Sequence, residues 1–415
     1  MTSRLKILIY SQFYLPEIGA PPVRLGALSE ELSKLGCDVR VVSAMPNYPE
    51  GRIQSGYRWR LFHSEQVRGI PVYRSFLIPI RSGGFARLIS YFSFQLFSFP
   101  ILLWQCLSFR PDYLFIESPP LFLGLTALLV RKVTGVPFIL NVADLWPESV
   151  AQFNLIRTDS YYYRLAKKLE SLLYRSSDVL SLTVPGHQDY IASSGGRTNK
   201  MIFFPNGAYV TDSNLPSIES TSPTLQPLFR TRKVVLYAGN HGASHGLEVL
   251  LRAAARLISD PNIHILFVGD GSRKAALLSL SASLNLSNVT FHPPVPADRI
   301  LDLMRLSSLN VSIFVQPDSH ARSAKIFPML ASGTPLVLAA SNDGANIVRS
   351  AQAGVVVSPN DEEQLAEAIS KTIYDDDLRT KLSQNAQKLI SEEFSWDVLA
   401  ARWLQDLAKI HDEQL

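Results

Sequence analysis

Residues 311–340 read VSIFVQPDSHARSAKIFPMLASGTPLVLAA, and two cations in them, Arg322 and Lys325, fall where a loop leaves a strand and enters a helix. In an α/β unit that position binds anions, because backbone N–H groups and the helix dipole converge there. The chemistry suggested is the holding of a phosphate or diphosphate. Two solvated surface charges are the plainer alternative. A second place of this kind is residues 239–246, GNHGASHG, a glycine-rich turn before an apolar helix that includes Gly239, Asn240 and His245. Its backbone amides point at whatever anion sits above the helix. Gly269 and Asp270 follow the next strand in a similar turn. A third cluster, Asp144, Trp146 and Glu148 in ADLWPES, sets two carboxylates and an indole after a strand. It reads either as a substrate-facing group or as a capped turn in which Asp144 bonds its own backbone. Gly19 in a Pro- and Gly-rich loop and Asn47 in the long loop 44–56 are further candidates, although loop 44–56 also reads as a surface excursion. Asp375-Asp376-Asp377 reads as helix caps and solvated charge. Cys37 and Cys106 have no metal or redox spacing. No Asp-x-Asp pair flanked by hydrophobics is present.

These groups need strands and helices to place them. Apolar runs at 5–10, 38–43, 113–116, 138–142, 178–183 and 201–204 alternate with helical patterns, as in a doubly wound parallel sheet. No G-x-G-x-x-G follows the first strand, so a dinucleotide is not expected. Residues 208–231 are rich in Pro, Ser, Thr and Asn and read as a linker. The alternation restarts at 233–238 and continues through 263–268, 289–292, the opening unit and 355–357. In that unit Ser323 stands as a helix N-cap, the helix ends at Gly333, and Thr334-Pro335 leads into a second buried strand. The expected fold is α/β, with two Rossmann-like domains facing a cleft. Their bounds are 1–207 and 232–390, joined by the linker 208–231, and a C-terminal segment, 391–415, crosses back to the first domain.

The chain has 415 residues, 47% of them hydrophobic and 18% charged, which fits folded domains with a greasy surface. Residues 1–205 carry 22 Lys and Arg against 14 Asp and Glu; residues 206–415 carry 18 against 22. A basic first half suits an anionic lipid surface or an anionic acceptor. No nucleic-acid motif is present, and no nucleic acid is expected as a partner. The first apolar run, at 5–10, is too short for a signal peptide, so a cytoplasmic chain is expected. Residues 88–107, LISYFSFQLFSFPILLWQCL, are uncharged. By length they reach the transmembrane criterion. Ser, Gln and Pro interrupt them, and Arg87 and Arg110 flank them. A buried helix, a helix resting in a membrane interface and a true span all remain open.

The motifs together resemble the retaining GT-B glycosyltransferases of family 4, over nearly the whole chain. Pro205-Asn206-Gly207 is similar to the family's PNG. Tyr237-Ala238-Gly239 with His245-Gly246-Leu247 resembles its Y-x-G … K-G-L donor loop, and Val268-Gly269-Asp270-Gly271 its VGDG. Lys325-Ile326-Phe327 with Ala331-Ser332-Gly333-Thr334-Pro335 resembles its S-K-hydrophobic-F-E motif with A-x-G-x-P. DLWPES at 144–149 resembles a WbuB-like branch that builds O-antigen and exopolysaccharide units on lipid carriers. The resemblance implies metal-independent transfer of a hexose or amino-hexose from a nucleotide-diphosphate sugar, with no cofactor. The acceptor is then a lipid-linked or glycan molecule, at the inner face of the cytoplasmic membrane. Gly239, Asn240, His245, Gly269, Asp270, Arg322 and Lys325 would bind the donor. Asp144, His320 and Lys325 would serve catalysis, and Gly19, Asn47, Trp146 and Glu148 would face the acceptor. Two family glutamates read His320 and Pro328 here, the donor-loop lysine reads His245, and a family histidine reads Ala143. These departures leave a non-catalytic scaffold and a sugar-nucleotide epimerase as alternatives.

Overall fold

The computed structural model describes residues 4–48, 50–80, 86–152, 156–210, 216–315 and 322–412, apart from the side chains of 152, 220, 297 and 298. The chain forms two compact units: Met1–Asn206 with Trp396–Leu415, and Gly207–Ser395.

The first unit is built on eight strands: β1 Lys6–Ser11, β2 Asp38–Ala44, β3 Phe62–Val67, β4 Ile70–Ser75, β5 Tyr113–Ser118, β6 Phe138–Val142, β7 Val179–Leu182 and β8 Met201–Phe203. Their order is β3-β4-β2-β1-β5-β6-β7-β8. All pairs are parallel except β3 with β4. The β3–β4 hairpin carries little apolar signal, because FHSEQV is polar from His63 to Gln66 and its alternate residues Phe62, Ser64 and Gln66 are exposed. Its two-residue turn is Arg68-Gly69, with φ of 49° and 81°, the backbone that a type I′ turn demands. Strand β1 shows why parallel strands read as continuous apolar runs. Leu8 and Tyr10 enter one core, and Ile7 and Ile9 enter the other. The helix Trp396–Asp412 belongs to this second core. Its Trp403 is fully buried, packs edge-on against Phe115 and donates its indole N–H to Ser181 Oγ at 3.1 Å.

The uncharged stretch forms the helix Ala86–Phe109 on the other face of the same sheet. Its buried stripe includes Ser90, Ser93, Ser98 and Gln105. Tyr10 Oη meets Ser98 Oγ at 2.7 Å, Ser93 Oγ accepts the Ile78 amide at 2.9 Å, and Gln105 Oε1 accepts from Arg40 Nη1 at 3.2 Å. These bonds fix the helix to the sheet. Leaving to span a bilayer would strand the buried polar groups. Among the described residues it is the one helix long and apolar enough to cross a membrane; here it packs on the sheet through Phe94, Leu102, Cys106 and Phe109 together with these polar groups.

The second unit has six strands: β9 Lys233–Ala238, β10 Ile263–Val268, β11 Val289–His292, β12 Leu309–Ile313, β13 Leu336–Ala339 and β14 Val355–Val357. They lie in the order β11-β10-β9-β12-β13-β14, all parallel. Chain direction through the sheet reverses between β9 and β12, which makes that crevice the topological switch point. The stretch read as a linker also packs here: Ala208 and Leu225 are buried in the core of this unit. The helix of the opening motif is shorter than expected. It spans Ile326–Ala331 with Lys325, not Ser323, in the cap position and no side-chain cap bond. Gly333 follows at φ 73°.

Candidate active site

The two loops that flank the β9–β12 crevice bring Lys325 against the glycine turn. Lys325 Nζ donates to Tyr237 Oη at 3.0 Å and lies 3.2 Å from His245 Nε2. Tyr237 Oη in turn donates to the carbonyl of Asn240 at 2.8 Å. His245 Nδ1 lies 3.3 Å from the Ile313 carbonyl. A carbonyl only accepts, so Nδ1 carries the proton and Nε2 accepts from the lysine. Gly239 sits at φ 142°, and a Cβ there would meet Lys325 Cε and Nζ at 2.5 Å. The glycine is what lets the amine lie on the turn.

Burial pushes the Lys325 amine down to about 7. Burial, then the lysine charge, pushes His245 down to about 4. His245 is thus a neutral acceptor for the Lys325 amine. His241 is held at about 4 by burial and then by Lys274. Its ring is fully buried near Phe267 and Phe291. Burial also raises the Tyr237 phenol, which keeps it a donor at neutral pH. Tyr237 is the positioning residue that the sequence reading passed over, since its place in a Y-A-G string does not show that its hydroxyl ties turn to lysine. Tyr237→Phe is expected to weaken nucleoside-diphosphate binding roughly ten- to a hundredfold, the loss of about one hydrogen bond to a charged group. It should also move the pH midpoint of binding downward, because the amine loses an acceptor. Calorimetric titration across pH measures both.

The remaining donor-side candidates fall into different roles. Arg322 Nε pairs with Asp343 Oδ2 at 2.5 Å, so this cation is already met by a carboxylate in the first turn of the helix Asp343–Ser350. Asn240 shapes the turn from within, its carbonyl holding Tyr237. Gly269 is a packing glycine: a Cβ would lie 1.9 Å from the Gly239 carbonyl oxygen. Asp270 is exposed and caps its own turn by accepting from the Gly271 amide at 2.8 Å. His320 lies outside the described residues. Pro328 is in the short helix after Lys325. Among the described residues no three His, Cys, Asp or Glu side chains gather as a metal site.

In the first unit, Gly19 is the N-cap of the helix Ala20–Lys34, with prolines in its first turn. Asn47 stands in the loop that could line a cleft or be a surface excursion. It is buried, and its side chain bonds Met45 O at 3.0 Å and Glu17 Oε1 at 3.3 Å. Glu17 organises both loops, accepting the amides of Asn47 and Tyr48 at 2.8 Å each. Burial raises its carboxyl even against those bonds. Glu148 is likewise committed. Tyr163 donates to it at 2.6 Å and Tyr190 at 3.0 Å, with Lys167 at 3.4 Å. Burial opposes ionisation, but the two hydroxyls and the lysine outweigh it and hold the carboxyl below its ordinary value. Asp144, at the mouth of the same loop, is exposed. Trp146 packs edge-on against Phe122 at 5.5 Å. Deeper in, Glu117 is buried between Arg24 and Asn141, and Arg24 Nη1 also reaches Asn206 Oδ1 at 3.0 Å.

Residues 19–207 match the profile described as a glycosyl transferase 4-like domain, and residues 224–389 match glycosyl transferases group 1. The chain is 26% identical to the putative colanic acid biosynthesis glycosyl transferase WcaI of Escherichia coli K12, over 81% of this chain and 83% of that one. It is 25% identical to the lipopolysaccharide core biosynthesis glycosyltransferase LpsE of Rhizobium meliloti, over 65% and 73%. Among solved structures it resembles Anabaena HepE in complex with UDP-glucose, with a TM-score of 0.70 and 19% identity over 98% of this chain and 100% of that one.

Proposed function

The chain belongs to the family 4 glycosyltransferases of the GT-B fold and depends on a nucleotide sugar, and on that premise we propose that it transfers a hexose or amino-hexose with retention of configuration, without a metal, to a lipid-linked or glycan acceptor in cell-surface polysaccharide synthesis. The observation that supports this most is the Lys325 amine drawn onto the glycine turn at the switch point of the second sheet. A diphosphate laid on that turn meets a cation held in a low-dielectric place, where its charge is worth most. The bond from the anomeric carbon to the β-phosphate oxygen breaks, and Lys325 neutralises the nucleoside diphosphate that leaves. The acceptor hydroxyl forms the new bond on the same face, and its proton passes to the leaving phosphate. The names of WcaI and LpsE support a role in exopolysaccharide or lipopolysaccharide assembly, and the ligand of HepE supports a uridine diphosphate sugar as the first donor to try. In this reading the protein works at the inner face of the cytoplasmic membrane.

The test is a panel of nucleotide sugars incubated with cell membranes, the product linkage being read by NMR. Turnover with a retained anomeric configuration is expected. Inversion would overturn the retaining mechanism. The absence of any thermal shift with nucleoside diphosphates would favour a scaffold whose donor site has decayed.

A further inference from the structure

Five cations surround one groove at the amino edge of the first sheet. Strands β6, β7 and β8 begin there, running parallel from Phe138, Val179 and Met201. The helices Leu123–Thr134 and Tyr161–Ser176 end there. The groove has a volume of about 530 Å³ and is lined by Arg131, Lys132, Arg175, Arg197 and Lys200, with Asp178 as its one carboxylate. That volume falls among small-molecule sites, which run from roughly 300 to 1,000 Å³.

Asp178 does not neutralise the groove, because both its oxygens are engaged. Oδ1 accepts from Arg131 Nη2 at 2.9 Å, and Oδ2 accepts from the Phe138 amide at 3.0 Å. Arg131 also donates through Nη1 to the Ser176 carbonyl, which fixes its guanidinium from two sides. Among the described residues the other four cations meet no carboxylate. Arg175 lies across the turn at Gly195, where φ is 109° and a Cβ would stand 2.6 Å from the Arg175 Nε. Glycine there gives the side chain its seat.

Cations in the last turn of a helix offset the carbonyl end of its dipole, and this accounts for Arg131, Lys132 and Arg175. It does not account for Arg197 and Lys200, which arrive from the loop and turn ahead of β8. They add like charge where positive charge is already in excess, and an anion offsets that repulsion. Guanidinium forks match phosphoryl oxygens two at a time. One monoanion would leave most of the charge unmet, whereas two or more phosphoryl groups match it.

We propose that this groove binds a compact soluble ligand carrying two or more phosphoryl groups, at a site of its own. The donor turn belongs to the other unit. The loop 143–149 leaves the opposite edge of the sheet, because the five residues of β6 carry the chain about 17 Å away from the groove. A lipid headgroup offers the same phosphoryl chemistry, but a concave site of this size takes a small ligand whole.

Calorimetry with inorganic tripolyphosphate as the probe tests this. The wild-type chain should bind it at low salt, with an affinity that falls as sodium chloride is added. Lys325→Ala, whose donor turn is impaired, should still bind it. Adding Arg197→Gln and Lys200→Gln to that variant should weaken binding at least about tenfold, since two charge-assisted bonds are lost. In an otherwise wild-type chain the same two substitutions should leave uridine diphosphate affinity unchanged. They should also leave the unliganded protein at least as stable as before, because these cations have no carboxylate to lose. The probe should raise the Tm of Lys325→Ala but not of the triple variant. The proposal is overturned if Lys325→Ala binds no tripolyphosphate, or if the triple variant binds it as tightly as Lys325→Ala. Destabilisation by Arg197→Gln with Lys200→Gln overturns it too, by making the two cations structural. So does binding that appears with phosphatidylglycerol vesicles and not with the soluble probe.

Discussion

Lys325→Ala weakens nucleoside-diphosphate binding by roughly two orders of magnitude, the cost expected when a charge-assisted bond to a phosphate is removed. Wild-type stability relative to Lys325→Ala should rise with pH between about 7 and 10.5, and the sign follows from where the amine sits. Burial lowers it from 10.5 to about 7 in the free protein. Between those values the unfolded chain holds a proton that the folded chain has released, so the contribution of this group to stability rises with pH across that window and is lost as pH falls through about 7. Donor binding works in the opposite direction. A diphosphate favours the charged amine, so above pH 7 binding must take up a proton. Affinity is then expected to fall by up to about tenfold per pH unit until the complex itself titrates. His241 and His245 sit near 4 and do not titrate in this range, so the slope reports the lysine. Calorimetry in buffers of different ionisation enthalpy counts the proton directly. A flat pH profile in the wild type, or an unchanged slope in Lys325→Ala, would remove Lys325 from the site.

Gly269→Ala is expected to unfold or loosen the second unit, at a cost of about 3 kcal/mol or more. The added Cβ would stand 1.9 Å from the Gly239 carbonyl oxygen, and the backbone there is at φ 147°. Neither strand end can give way, because the Gly239 amide is itself bonded to the Val268 carbonyl at 2.9 Å. The two turns that frame the donor position would be forced apart, so nucleoside-diphosphate binding should be lost with the stability. Gly36→Ala is the control. It has positive φ, 92°, but nothing within 4 Å of the new Cβ, so only backbone strain of about 1 kcal/mol is expected. Chemical denaturation followed by fluorescence separates them: a shared small shift would mean that the close approach at Gly269 is not structural.

The sequence by itself determined the class of fold and the position of its turns. Strands of a parallel sheet are buried on both faces, so LKILIY and KVVLYA read as continuous apolar runs, and glycine is needed wherever the chain turns tightly after them. It also located Lys325, because a cation after a strand and before a helix stands out locally. The polar hairpin β3–β4 escaped, since one edge strand with alternating exposed residues carries little apolar signal. Which side chains meet was decided only in the tertiary structure. Lys325 lies 88 residues from Tyr237 and 80 from His245, and they come together because β12 is placed beside β9, a matter of strand order that no local pattern encodes. The same holds for charge states: His245 looks like a cation in a string and is neutral in the fold, because burial and the neighbouring lysine both oppose its proton. The direction of the helix Ala86–Phe109 was equally beyond the sequence. Its composition allowed burial, interface or span, and the choice rested on which stripe found partners. Phe94, Leu102, Cys106 and Phe109 entered the core together with the bonded serines and Gln105, and that left Ile89, Leu96, Trp104 and Leu107 facing out.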